Sequence, residues 1–402
     1  MTISEATRFQ RREDARGVTT LELFYDLVFV FAVTQVSHLL LAHLDWKGAG
    51  QATLALLVVW WSWNYTTWVT NELDPDAIAV RLLLIGLMLA SLVMAVAIPK
   101  AFGARGMLFA VAYVAIQVGR HTFLTFASAR PGTLERTRAG EILTWFAFAG
   151  IFWLAGGLAY GPARTALWLV ALAIDYAGPL FVYRVPGRPR LDHVAWQVDS
   201  GHFTERFQLF VIIALGESIV MIGATATDLH LDLARLVALA LAFLATAAMW
   251  WLYFDYVATI AERRLERAER RTLLARDAYT YLHVVMVAGV IVAAVGDELV
   301  IDHPTHTLGT AAVITVVAGP AIYLLAHAVF RLRMAGTVSV KRLAGAAACL
   351  IAGATGGFAP GWVLQALTVA ILAGVIAAER IAGLRRTARG DPAPLDRLET
   401  RR

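Results

Sequence analysis

Two short stretches of this chain hold most of the residues that could do chemistry inside an apolar environment. One is Leu21-Glu22-Leu23-Phe24-Tyr25-Asp26, followed by five apolar residues; the other runs from His202-Phe203-Thr204-Glu205-Arg206 to Gly216-Glu217-Ser218. Glu22 and Asp26 are four apart and share one helix face. Like charges at that spacing repel and burial disfavours ionisation further, so the pair calls for an arginine, a metal or shared protons. Glu22 also suits a helix start, where a carboxylate complements the positive end of the helix dipole. Asp26, a turn deeper, suits that role less.

His202 and Glu205 stand at i and i+3, a spacing usable for metal ligation in a helix bundle. A complete metal site needs more ligands, for which Asp26 and His283 are the candidates. No metal or other cofactor is assigned on this basis. The competing expectation is an ion pair of Arg206 with Asp26 or Glu22. Glu217 lies fifteen residues beyond His202, about 20 Å along a helix and so near mid-bilayer. Gly216 beside it admits a close neighbouring backbone. A carboxyl at that depth suits a proton relay, a cation site or a protonated bridge between helices.

Trp60, Trp61 and Trp63 begin a run of four tryptophans in nine residues, and the same span ends in Asn71, Asp74 and Asp76. The indoles either line an aromatic cavity for a planar or lipidic ligand or pack as core, and Pro75 stops a polar helix end that includes Asn71 and Asp74. His283 follows Tyr279 and Tyr281, as part of a pathway or as a buried hydrogen-bonded histidine. Arg120, His121 and Asp175 are further groups within apolar runs. Asp297, Glu298, Asp302, His303 and His306 are expected in a solvated outer loop.

The elements that must position these residues follow from composition. The chain has 402 residues, 59% hydrophobic and 16% charged, with a mean hydropathy of +0.63. That balance specifies a polytopic all-α integral membrane protein. At about 20 residues per crossing, twelve spans are expected, at 19–44, 51–73, 77–99, 105–128, 139–159, 163–184, 203–225, 230–260, 276–299, 307–332, 340–357 and 360–383. Thirty of the 35 Lys and Arg residues fall on one side of this layout. The positive-inside rule therefore places both termini in the cytoplasm. Aligning span one on span seven at an offset of 182 puts Leu27 on Leu209, Asp26 on Gln208 and Gln35 on Glu217. An offset of 190 puts Trp60-Trp61 on Trp250-Trp251. These matches predict two parallel six-helix repeats. The expected layout is a cytoplasmic arm at 1–18, repeats at 19–190 and 191–384, and a disordered cytoplasmic tail at 385–402. The single cysteine, Cys349, excludes an intrachain disulfide. No P-loop, H-E-x-x-H or G-x-S-x-G pattern appears, and the net charge of +5 is a cytoplasmic collar with no nucleic-acid partner implied.

The chain resembles the bacterial low temperature requirement A family. The likeness rests on Glu22-Leu-Phe-Tyr-Asp26-Leu-Val-Phe-Val-Phe-Ala, on Trp60-Trp-Ser-Trp63 with Asn71-x-x-Asp74-x-Asp76, on His202-x-x-Glu205-Arg206 through Gly-Glu217-Ser, and on Tyr281-Leu-His283 with Val287-Ala-Gly289. It implies a multi-pass protein of the bacterial cytoplasmic membrane; the family's name records a growth phenotype and supplies no reaction. A fainter likeness is to potassium channels whose first helix opens with Arg-x-x-x-Phe-Ser-Asp. Arg16 is too distant from Asp26 here and Tyr25 replaces the serine, so no roles carry over.

The leading expectation is a transporter or ion-conducting protein with a pathway between the two halves. Glu217 would be the midplane proton or cation site, and Glu22, Asp26, Asn71, Asp74, His202, Glu205, Arg206 and His283 would line the rest. The alternative is an intramembrane enzyme acting on an isoprenoid or lipid-like substrate, with a divalent metal as an option. Expected partners are the lipid bilayer and a proton, cation or lipid-like small molecule, and homo-oligomerisation is left open.

Overall fold

A computed structural model describes residue 9 and residues 17–188, 199–227, 229–255 and 257–391. Most of the expected N-terminal arm, the junction at 190–191 and residues 392–402 lie outside the described residues. Among those described there is no strand; an isolated bridge joins Thr307 and Pro360. The helices are α1 (Thr20–Ala42), α2 (Trp46–Glu72), α3 (Ile78–Ala97), α4 (Gly106–Phe123), α5 (Leu134–Leu158), α6 (Gly161–Ala177) and α7 (Ser200–Thr227). They continue with α8 (Leu233–Phe254), α9 (Val257–Glu266), α10 (Arg271–Ala275), α11 (His283–Asp302), α12 (Thr310–Ala335), α13 (Val340–Ala352) and α14 (Gly361–Ala388). Turns of π-helix, Leu124–Ser128 and Arg276–Leu282, extend α4 and join α10 to α11.

Nine helical segments among the described residues are long and apolar enough to cross a bilayer. Each of the twelve expected spans contains a helix, but three of those helices fall outside the nine. The helices α6 and α13 have 17 and 13 residues, too few for the hydrocarbon thickness. At 27 residues α2 is long enough, but its aromatic and polar second half lowers its hydropathy.

Extents differ from expectation where local chemistry stops a helix. Expected to reach residue 184, α6 ends at Ala177, and a turn follows with Val182 and Tyr183 both at φ 52°. The span expected over 230–260 ends at Phe254, with α9 a separate element. At its C-terminus α14 runs to Ala388, four residues into the expected tail.

By contacts the chain divides into two units, Met1–Leu39 with Gly50–Arg206 and Leu40–Ala49 with Phe207–Arg402. In the first, α3, α4, α5 and α6 each pack on the next in sequence. Buried Arg164 ties this end together. Its Nε donates to the carbonyls of Gly156 and Ala159 at 3.1 and 3.0 Å, and its Nη1 donates to Ala101 at 2.9 Å. In the second unit, α8, α11, α12, α13 and α14 close a ring in which α14 returns to α8. At the α11/α12 contact the backbones approach closely. A Cβ on Gly319 would stand 2.4 Å from Ala293 N, and one on Gly289 2.7 Å from Tyr323 N.

Candidate functional site

The site is built on the first turns of α1 and α7, both in the first unit. At the start of α1, Thr19 and Glu22 form a capping box. Glu22 N donates to Thr19 Oγ1 at 3.4 Å, and Thr19 N donates back to Glu22 Oε2 at 2.9 Å. Asp199 caps α7, accepting from the backbone N–H groups of Gly201 and His202 at 3.1 and 3.3 Å. These caps hold both helix starts against fraying and set the rotation at which the next side chains project.

Two polar bridges join α1 to α7. His202 Nε2 meets Glu22 Oε1 at 2.9 Å, and Arg206 Nη2 donates to Asp26 Oδ1 at 2.7 Å. Both bridges span 180 residues, so both helices advance by four between one bridge and the next. Here α1 and α7 run side by side in the same direction. The two ambiguities left by the sequence are thereby resolved. Arg206 bonds Asp26, whereas Glu22 serves at once as helix cap and as partner of His202.

The histidine's tautomer follows from its neighbours. Asn71, at the end of α2, accepts the backbone N–H of Asp199 on Oδ1 at 3.0 Å, which makes its Nδ2 the donor. That Nδ2 lies 3.2 Å from His202 Nδ1 and 3.2 Å from the Asp199 carbonyl. Nδ1 therefore accepts, and the ring proton sits on Nε2, directed at the Glu22 carboxylate.

Asp26 Oδ1 accepts a second bond, from Trp63 Nε1 at 2.8 Å, and the Arg206 guanidinium lies 5.8 Å from the Trp63 ring centroid. The Asp26 and Arg206 side chains are 2% and 0% exposed. Asp26 Oδ2, Arg206 Nε and Arg206 Nη1 have no hydrogen-bond partner among the described residues. The pair is a single contact with both donor and acceptor capacity to spare, whereas an Arg–carboxylate pair is frequently a closed bidentate fork. One layer away, Tyr25 donates to Thr66 Oγ1 at 2.8 Å, and buried Arg120 donates to the same oxygen at 3.0 Å and to the Ser62 carbonyl at 3.2 Å.

Other expected residues lie apart from this cluster. Glu205 is exposed and accepts from Val18 N at 3.1 Å, because turning His202 and Arg206 inward turns it out. Asp74 is half-buried and accepts from Asp76 N at 2.9 Å, a local turn bond. Trp60, Trp61 and Trp63 are buried and packed on other rings, Trp61 stacking 3.8 Å from Tyr176 and Trp60 lying 5.3 Å from Trp63. Glu217 is buried in the second unit.

His283, also in the second unit, donates from Nδ1 to the Ala278 carbonyl at 3.0 Å and accepts the Tyr253 hydroxyl on Nε2 at 2.9 Å. Phe207, Tyr279 and Phe330 ring it. Both of its nitrogens are engaged in this bonded, aromatic setting. Among the described residues no group of three or more His, Cys, Asp or Glu side chains is placed to hold a metal. Asp297, expected in a solvated loop, is instead buried within α11.

Several residues were not singled out by the sequence. Asp199 had a signal in Asp-Ser-Gly-His, a capping residue before a helix. Buried His327 and Arg342 form a second network with half-buried Glu379, Arg342 meeting His327 Nδ1 at 2.8 Å and Glu379 Oε2 at 2.9 Å. These three lie on three different helices and had no local signature.

The fold and the site define a multi-pass helical membrane protein with acid–base pairs buried where its helices begin. More particularly, the chain belongs to the bacterial low temperature requirement A (LtrA) family, which it matches over residues 17–377. It is 38% identical over 341 residues to an uncharacterized protein of Rhizobium meliloti (strain 1021), covering 84% of this chain and 80% of that protein. No solved structure matches the chain.

Proposed function

We propose that this protein is a transporter or ion-conducting protein of the bacterial cytoplasmic membrane, in which Glu22, Asp26, His202 and Arg206 handle a proton or cation and Glu217 provides a deeper carboxyl. The observation that carries the reading is the pair of in-register bridges at the start of membrane-length helices. Ionisable groups are costly there and, as a rule, mark substrate or ion paths. In this reading the chain has twelve spans in two parallel six-helix repeats with both termini cytoplasmic; the shared direction of the first turns of α1 and α7 fits an even number of crossings between them, and the Lys and Arg distribution fits the orientation.

The chemistry follows from the donor and acceptor count. The histidine bridge pairs Glu22 with His202, whose other ring nitrogen faces Asn71. Protonation of Glu22 or Asp26 leaves Arg206 with one carboxylate fewer to balance it. The guanidinium, with donors to spare, then shifts its bonding between the two acids or toward a passing anion or carboxylate. Proton occupancy and the α1/α7 contact are coupled in this way.

Reconstituted vesicles with an entrapped pH indicator test the reading. Asp26→Asn, Glu22→Gln and Glu217→Gln should each lower proton-coupled flux relative to wild type, with protein recovery unchanged. Full flux in all three variants refutes it.

A further inference from the structure

The second unit contains a carboxyl of another kind. Asp297 lies on α11 and accepts a hydrogen bond from Gln365 Nε2 of α14 at 2.8 Å. Asp297 is 5% exposed and Gln365 0%. Within this contact two acceptors, Asp297 Oδ2 and Gln365 Oε1, have no hydrogen-bond partner among the described residues. A buried carboxylate and a buried carboxamide oxygen left this way each carry a desolvation penalty.

Among the described residues the surroundings supply no compensating cation. Gly296 precedes Asp297, and a Cβ there would meet Val316 N of α12 at 2.8 Å, so that side of α11 is closed by backbone. An apolar cluster of Ile222, Ala242, Val300, Val316 and Leu364 is contributed by α7, α8, α11, α12 and α14. The charged groups of those elements lie elsewhere. On α8, Arg235 donates to the His230 carbonyl at 2.8 Å and stands 4.0 Å from Asp232. On α12, Arg331 and Arg333 engage Glu379 and Asp277, and His327 bonds Arg342 of α13. On α14, Glu379, Arg380, Arg385 and Arg386 are fourteen or more residues, about 20 Å or more, beyond Gln365. On α7, Glu217 comes five residues before Ile222, and on α11 itself the neighbours are the acids Glu298 and Asp302.

One hydrogen satisfies both orphan oxygens. A proton on Asp297 Oδ2 donates to Gln365 Oε1 while Gln365 Nε2 donates to Oδ1, closing a cyclic acid–amide pair with no net charge in the apolar cluster. A metal ion would need several more oxygens than these two side chains offer. We propose that Asp297 and Gln365 form a proton-binding site in the second unit, holding one proton between Asp297 Oδ2 and Gln365 Oε1. It does not depend on the α1/α7 site.

The site lies close to one end of both helices. Asp297 is about 8 Å, at 1.5 Å per residue, from the end of α11 at Asp302. Gln365 is about one turn into α14, whose first residues are tied to the preceding loop by Gly361 N to the His306 carbonyl at 2.9 Å and Trp362 N to the Pro304 carbonyl at 3.1 Å. Movement of that loop would therefore bear on the contact that holds the proton.

Infrared difference spectroscopy of the full chain in lipid at neutral pH, wild type against Asp297→Asn, tests the proposal. Asparagine keeps the size of the side chain and a hydrogen bond to Gln365, and size-exclusion chromatography checks that the fold is kept. The expected result is loss of one carboxylic-acid C=O stretch, which in wild type shifts down in D2O. Gln365→Leu should shift the same band upward, because the acid loses its hydrogen-bonded partner. An unchanged carboxylic-acid region in Asp297→Asn, or loss of a carboxylate band instead, overturns the proposal. Asp26→Asn and Glu22→Gln should leave the band in place, so a failure of the transport reading is distinguishable from a failure of this one.

Discussion

Replacing Asp26 by leucine removes a charge and an acceptor from a contact that excludes water. Arg206 is then left as a buried guanidinium whose nearest remaining acid, Glu22, is already bonded to His202 and Thr19. Breaking a buried pair from one side costs about 3–5 kcal/mol, and loss of the Trp63 indole bond adds about 1 kcal/mol. Arg206→Met leaves the carboxylate unbalanced and belongs in the same 3–5 kcal/mol range. Removing both partners removes both desolvation penalties, so Asp26→Leu combined with Arg206→Met should lie near wild type or slightly above it. The double-mutant cycle should show a coupling of about 3 kcal/mol or more. Reversible unfolding in mixed micelles at increasing denaturing detergent measures all four proteins. Single losses below about 1 kcal/mol, or a double variant whose loss equals the sum of the singles, would refute the claim that the two charges share one water-free contact.

Four further outcomes follow from the same geometry. Glu205→Ala should change stability by no more than about 0.5 kcal/mol, as an exposed position does, and should leave flux unchanged in the vesicle assay. Asn71→Asp presents an acceptor to His202 Nδ1, so 15N NMR of the histidine should move from the Nε2–H tautomer toward the doubly protonated ring; an unchanged spectrum contradicts the tautomer assignment. Gly319→Val drives a side chain into the Ala293 backbone, and a thermal-shift assay should report a loss of about 1–3 kcal/mol or more. Arg164→Lys loses the planar fork that reaches several carbonyls at once; since a charged hydrogen bond is worth about 1.5–3 kcal/mol, the variant should unfold earlier in the same assay.

Much of the architecture was legible locally. The apolar runs marked every described helix that is long and apolar enough to cross a bilayer, because hydropathy over about 20 residues is a local sum. The overextended boundaries at α6 and α8 came from reading continuous apolar sequence as continuous helix. At α6 the stop is Gly178-Pro179, directly after Ala177 and ahead of the turn through Val182 and Tyr183, whereas the break after Phe254 has no Gly or Pro at that point. The three spans that missed the length or hydropathy of a crossing contain helices all the same, since helix formation there rests on packing against neighbours.

At the site, the residue types that gather at the starts of α1 and α7 were visible from their spacing: two acids four apart, and a histidine and arginine four apart. The sequence by itself determined that these groups sit on single faces inside apolar helices, because side-chain direction within a helix repeats with a fixed local period. Only the tertiary structure decided which acid meets which base, that Glu205 turns outward, that Trp63 is a donor to Asp26, and that Asp297 is buried. The physical reason is that a side chain's burial and bonding depend on the rotation and offset of neighbouring helices. Those are set by contacts between residues as far apart as 180 positions, and no window on the chain contains both partners.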